Sequence, residues 1–332
     1  MNILKKTIPV FLMILLIAGV FTSCGSSDKK QSDKPLQIVT TVFPAYDWTK
    51  EVLGDRAEDA ELTMLLDDGV DLHSYQPTAE DLEKIASCDL FIYVGGESDE
   101  WVEDALKSKT NKNRVEINLM DALGDSVKEE EEVEGMQAED EHEHEGDEAE
   151  SEEPEQDEHI WLSLRNAKVC TQAIADHLKK LDPSNKTEYE NNETAYKEKL
   201  TGLDKEYQDT IDHAKRKTLL FADRFPFRYL ADDYGLKYYA AFKGCSAETE
   251  ASFKTITFLA NKVDEENLPY VMTIEGSDQK IAKSVISNTK KKTQQIMTMD
   301  SMQSTTSQDV KDGKSYLSVM EENLSVLQKA LN

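Results

Sequence analysis

Basic residues are in short supply in this chain of 332 residues, which sets 38 lysines and arginines against 66 aspartates and glutamates for a formal charge of −28. Holding a nucleic-acid backbone needs an excess of Lys and Arg on one face, so no nucleic acid is expected as a partner. Cysteine is scarce as well: only Cys24, Cys88, Cys170 and Cys245 occur. With Cys24 assigned below to another role, the remaining three cannot all pair, and no disulfide framework organises the fold. Cys88, ahead of an apolar run, and Cys170, in a helical stretch, read as small buried hydrophobes. The motifs of several chemistries are missing. There is no phosphate loop of Walker type and no GxGxxG. There is also no GxSxG elbow and no HExxH pair. The chain is therefore not expected to be an enzyme.

What is present begins with an address. Residues 1–23 carry Lys5-Lys6, an apolar run from Ile8 to Phe21, and the small pair Thr22-Ser23 before Cys24. This is a secretory signal, and the run is short for a membrane span. A small-residue pair before a cysteine resembles the bacterial lipoprotein processing box. That resemblance implies that Cys24 becomes the lipid-bearing first residue, with 24–34 a polar tether. The folded part is then held by its anchor on the extracytoplasmic face of the cell membrane.

Short apolar runs of strand type recur at 37–41, 62–66, 90–94, 219–222, 238–242, 270–274 and 295–298. Helical segments separate most of them, which predicts βα units and parallel sheets. More than a hundred residues separate the third run from the fourth, dividing the chain into an α/β lobe at 35–181 and another at 217–332. Within the gap, 125–158 holds 19 acidic residues and one lysine, with His142 and His144 in Glu-His-Glu-His-Glu. Like charge and missing apolar residues leave the tract nothing to bury, so it reads as a disordered surface insertion. Across 182–216, Tyr189, Tyr196, Leu200, Leu203, Tyr207, Ile211 and Ala214 fall on one helical stripe. Ser184 is the candidate cap of that linking helix.

Ligands in open α/β sheets bind beyond the carboxyl ends of the strands. Asp223-Arg224, Gly244-Cys245, Glu275-Gly276 and Asp300 stand at such ends. The chain has six histidines. His73 lies in a turn-rich segment after a strand, and His159 lies where the acidic tract gives way to apolar sequence. Neither has the spacing of a local metal motif, so each is a ligand or an ordinary hydrogen-bonded histidine. His177 and His213 sit in charged helical surroundings and read as solvated.

Gly-x-Asp-x-His-Ser-Tyr-x-Pro-Thr at 69–78, His-Ile-Trp-Leu-Ser at 159–163, Asp-Pro-Ser-Asn-Lys at 182–186 and Phe-x-Tyr-Leu-x-x-x-Tyr-Gly-Leu at 227–236 together resemble the metal-binding receptors of bacterial zinc and manganese ABC importers. The resemblance implies two α/β lobes with parallel sheets, joined by one rigid helix, with a metal cleft between them. It places ligands on His73, His159 and Asp300. The family's remaining ligand, a His or Glu three residues before the Phe of Phe-x-Tyr-Leu, falls on Arg224.

A guanidinium is permanently charged and does not bind Zn²⁺. Three readings follow: a three-ligand site completed by water, recruitment of Cys245 or Glu275, or a lost cation site with Arg224 turned to an anion. Two imidazoles favour zinc over manganese. The expected function is an extracytoplasmic receptor that binds Zn²⁺ and delivers it to an ABC permease, with His142 and His144 capturing metal near the cleft. The alternatives are a manganese receptor of the same fold, an adhesin-like surface lipoprotein, and a zinc hydrolase for which no general base is in view.

Overall fold

The computed structural model describes residues 34–137, 155–246 and 250–332. Four parallel strands form the first sheet: β1 (Gln37–Thr40), β2 (Glu61–Met64), β3 (Leu90–Tyr93) and β4 (Val115–Asn118), in the order β2-β1-β3-β4. Helices α1 (Phe43–Leu53), α2 (Ala79–Ser87), α3 (Trp101–Lys107) and α4 (Leu119–Leu123) accompany them, followed by α5 (Leu164–Leu181) and the 27-residue α6 (Lys186–Asp212). The second sheet repeats the arrangement with β5 (Thr218–Arg224), β6 (Lys237–Phe242), β7 (Tyr270–Ile274) and β8 (Gln295–Met299), in the order β6-β5-β7-β8. Its helices are α7 (Arg228–Tyr234), α8 (Phe253–Glu265), α9 (Lys280–Asn288), α10 (Ser307–Lys311) and α11 (Tyr316–Ala330). Each of the seven apolar runs seen in the sequence lies on a strand. β4 escaped that reading because Val-Glu-Ile-Asn has only two apolar residues, both of which alternate with polar ones.

The expected stripe of α6 is buried at Tyr189, Tyr196, Leu200, Leu203, Tyr207 and Ile211, packing on α5, α1 and α11. Ala214 lies just beyond the helix and is partly buried against the same core. Ser184 is not the cap. It sits in a 3₁₀ turn, Pro183–Asn185, and the helix starts after Asn185 without a side-chain cap. Asp182 organises the entry instead, accepting hydrogen bonds from Asn185 Nδ2 at 2.6 Å and Tyr189 Oη at 2.8 Å.

The acidic tract departs from expectation at its described ends. Glu129 and Gln156 form an antiparallel bridge, and Gln137 N donates to Ala241 O at 2.9 Å, on the edge strand β6. An edge strand offers unpaired backbone groups, and the tract answers them with its own backbone, which needs no apolar side chains. Residues 138–154, with His142 and His144, lie outside the described residues, as do Cys24 and the segment before it.

One buried apolar cluster takes side chains from both sheets and from α6 and α11, so the lobes share a core. Polar ties reinforce it. Trp161 Nε1 donates to Ser301 O at 2.8 Å, Tyr316 Oη to Trp161 O at 2.6 Å, and Tyr316 N to Asp47 Oδ2 at 3.0 Å. Asp47 is 4% exposed. Burial pushes its pKa up from 3.8 to about 6 against the opposing pull of the Tyr316 amide, with Glu51 adding to the rise.

Between those two values the native state holds a proton that the unfolded chain has released, so stability falls as pH rises through this window. Asp47→Asn keeps an acceptor for Tyr316 N and removes the buried charge. Denaturant unfolding is expected to show the variant more stable than the parent near pH 8, by on the order of 2 kcal/mol, and nearly equal to it near pH 4. Equal stabilities at both pH values would contradict the assignment.

Candidate metal centre

His73 follows β2 on a 3₁₀ turn, Leu72–Ser74, whose cap is Asp71: its Oδ1 accepts from His73 N at 3.1 Å. The imidazole Nδ1 stands 2.7 Å from Ser98 Oγ and 3.6 Å from Glu158 Oε2. His159 is fully buried, and Asp157 Oδ1 lies 2.9 Å from both its backbone N and its Nδ1. With each Nδ1 turned to an oxygen, the two Nε2 atoms face one another at 3.3 Å. Two nitrogens bound tetrahedrally to zinc at roughly 2.0–2.1 Å would stand about 3.3–3.4 Å apart. The pair already has that spacing.

The surroundings tune the two rings differently. Burial, then repulsion from His159, pushes the His73 pKa down to about 3, which keeps it neutral and able to donate a lone pair. For His159 burial is the largest single effect and opposes charge. The Asp157 hydrogen bond and the charges of Asp157, Glu130 and Glu158 outweigh it together, and the pKa rises above the ordinary imidazole value. Two glycines permit the approach. Gly96 has φ +85°, and a Cβ there would sit 2.4 Å from Glu158 Oε1. At Gly244 a Cβ would stand 3.1 Å from His159 Nδ1 and 3.0 Å from Phe225 O, so glycine eases the close approach of the loop after β6 to that ring.

That loop carries Cys245, whose Sγ lies 4.0 Å from His159 Nδ1. Among the described residues His73, His159 and Cys245 form one group of converging donor atoms; Glu130, Asp157 and His159 form another. Burial, and then Glu130, Asp157 and Glu158, push the Cys245 thiol far up, so it is held protonated until a cation offsets those charges.

The other residues singled out in the sequence are placed elsewhere. Asp300 does not join the histidines: Oδ1 accepts from Met302 N at 2.7 Å and Oδ2 pairs with Lys314 at 2.7 Å. Its carboxylate is consumed in closing the turn after β8. Glu275 accepts from Ser301 N at 2.7 Å, Ser301 Oγ at 2.7 Å and Gln303 N at 3.2 Å, and is likewise not among the converging donors. Arg224 Nη2 donates to Asp71 Oδ2 at 2.6 Å, so its charge is met by the residue that caps the His73 turn. His177 and His213 turn Nδ1 to carbonyls of their own helices, at 2.8 and 2.7 Å.

Gln303 was not anticipated. Its side-chain amide stands 2.6 Å from His159 Nε2 and 3.1 Å from His73 Nε2. Glutamine is neutral and carries no mark of a metal ligand, and the turn that delivers it, with Met302 at φ 65°, has no sequence signature. Asp157-Glu158 directly before His159 was the one legible hint of the carboxylates behind the site.

Residues 38–330 match the family model described as zinc-uptake complex component A, periplasmic. The zinc-binding lipoprotein AdcA of Streptococcus pneumoniae is 33% identical over 322 residues, covering 96% of this chain and 60% of the relative. The chain thus spans about 60% of the length of the streptococcal relatives that it matches. The high-affinity zinc uptake system protein ZnuA of Bacillus subtilis is 31% identical over 326 residues, 96% of this chain and 97% of that protein. The crystal structure of the Zn(II)-bound ZnuA-like domain of S. pneumoniae AdcA superposes with a TM-score of 0.68 at 31% identity, covering 90% of this chain and 99% of that one. The fold of two parallel four-stranded sheets is therefore shared with these proteins, and the chain belongs to the family of periplasmic zinc-uptake component A.

Proposed function

We propose that the protein is an extracytoplasmic receptor that takes Zn²⁺ between its two lobes and hands it to an ABC permease. The observation that carries this is the Nε2 pair, two imidazole nitrogens at the tetrahedral spacing of zinc ligands. His73 and His159 are the ligands, and Cys245, with Sγ 4.0 Å from His159 Nδ1, is a further donor at the edge of the group. Asp157 and Glu158 orient the rings from behind, as carboxylates do in zinc sites. Imidazole and thiol donors suit zinc better than manganese, which prefers oxygen. That relatives and structural neighbours at about 30% identity are named for zinc supports the same cargo. Asp300 belongs to the turn that shapes the cleft rather than to the ligand set. Cys24 bears the lipid anchor that holds the receptor at the cell membrane, in line with the lipoprotein name of the S. pneumoniae relative. His142 and His144 gather zinc weakly from solution.

His73→Ala and His159→Ala are each expected to weaken zinc binding at least a hundredfold in titration against a chelator. Cys245→Ser should cost roughly tenfold, and His177→Ala nothing. Parent-like affinity in both histidine variants would refute the site.

Arg224 lowers the His73 pKa, so its positive field reaches the place where the cation would bind. Arg224→His removes that permanent charge and releases the Asp71 carboxylate. Zinc affinity should rise several-fold; a fall would point to an anion as the true ligand of the cleft.

In membrane fractionation Cys24→Ser should move the protein into the soluble fraction. Continued membrane attachment would exclude Cys24 as the anchor.

A further inference from the structure

The amide of Gln303 is held against both histidines and against Ser301. Its terminal atom forms a triangle with the two Nε2 atoms, with sides of 3.3, 3.1 and 2.6 Å. Ligand atoms around a tetrahedral zinc ion stand about 3.3 Å apart when each bond is roughly 2.0–2.1 Å. The histidine pair has that spacing, and the carboxamide end, closer in at hydrogen-bond distance, stands where a third donor would approach the ion. Gln303 is 6% exposed, and its backbone N donates to Glu275.

An amide can present either of two faces. With Nε2 toward the histidines, it donates to acceptor nitrogens that would otherwise repel one another. Its Oε1 then faces Ser301 Oγ at 3.1 Å, while that same hydroxyl stands 2.7 Å from Glu275 Oε1. One hydroxyl hydrogen cannot serve both acceptors fully. Rotated by half a turn, the amide sends its NH₂ to Ser301 Oγ, which accepts it and gives its own hydrogen to Glu275. Oε1 then points at the histidine pair. Both orientations fill the same volume, since amide nitrogen and oxygen are nearly equal in size.

We propose that Gln303 is a ligand that switches with cargo: its NH₂ holds the two imidazoles in the empty site, and its Oε1 coordinates the ion in the loaded one. Ser301 and Glu275 are positioning residues that stabilise the second orientation. This rests on the zinc reading above. It adds that the third corner of the site is a neutral oxygen, so the ion gains a ligand without gaining a charge.

The test compares Gln303→Leu, Gln303→Glu and His73→Ala with the parent by zinc titration against a chelator, circular dichroism reporting the fold. Gln303→Leu should bind zinc about tenfold more weakly, and Gln303→Glu about tenfold more tightly, because a carboxylate keeps the oxygen and adds attraction. On zinc addition, the Gln303 side-chain NH₂ signals in nitrogen–proton correlation spectra of the parent should move as they change partner from imidazole to hydroxyl. Should Gln303→Leu fail to fold, Gln303→Glu and the parent spectra still decide. Loss of binding in His73→Ala with parent-like or tighter binding in Gln303→Leu would overturn the switch and make the amide a competitor of the ion. Equal binding by the parent and His73→Ala would instead overturn the zinc reading itself.

Discussion

The Nε2 atoms of His73 and His159 stand 3.3 Å apart at the cleft, and keeping two imidazoles that close requires both rings to be held from behind. Much of the molecule around the cleft can be understood as meeting that constraint. Asp157 and the Ser98–Glu158 pair occupy the two Nδ1 atoms, which leaves the Nε2 atoms to converge. Glu158 is itself anchored, since Ser98 N donates to its Oε1 at 2.7 Å. These carboxylates lie near zero exposure and are tolerated there because the histidines and backbone amides answer them. The same acid depresses thiolate formation at Cys245 and lifts the charge tendency of His159, so the pocket is electrostatically prepared for a cation.

Holding the rings in register also requires the lobes to stay in register, since His73 comes from the first sheet and the Gln303 turn from the second. A core shared by both sheets does this, with α6 laid along it and α11 returning to α1. The ties through Trp161, Tyr316 and Asp47 cross the same region. A second crossing at the cleft edge joins Asp68 to Thr306 by a backbone bridge, with Ser307 N donating to Asp67 O at 2.8 Å. The acidic tract contributes from a third side: Cys245 N donates to Glu130 Oε1 at 3.2 Å, and Tyr229 Oη to Asp157 O at 2.8 Å. Segments that composition marks as solvated thus help to frame the site.

Arg224, at the position where the resemblance implied a His or Glu ligand, is accommodated by charge pairing. Arg224 with Asp71 forms a partly buried ion pair at 2.6 Å, and Asp71 also caps the turn of His73. The geometry of His73 is therefore tied, through Asp71, to a guanidinium that cannot bind a cation. Gln303 approaches from the opposite lobe on a turn closed by Asp300, so the residue that resembled a ligand in the sequence serves to aim the one that stands at the site.

Periodicity and composition carried the strands, the buried stripe of α6 and the division into two α/β lobes, because alternation and helical spacing are local and each apolar residue needs cover wherever the chain goes. His73 and His159 were legible too, since imidazole is scarce here and each stands beside a strand end or a change of composition. Which side chains meet was decided only by tertiary structure. Asp300 and Glu275 sit at strand ends as Cys245 does, yet a two-residue turn spends the first on Lys314 and Met302, and the second on Ser301 and Gln303. Direction of a side chain at the end of a strand depends on the turn that follows and on partners far along the chain. No spacing rule encodes that, and it is what sets a neutral amide against the two histidines.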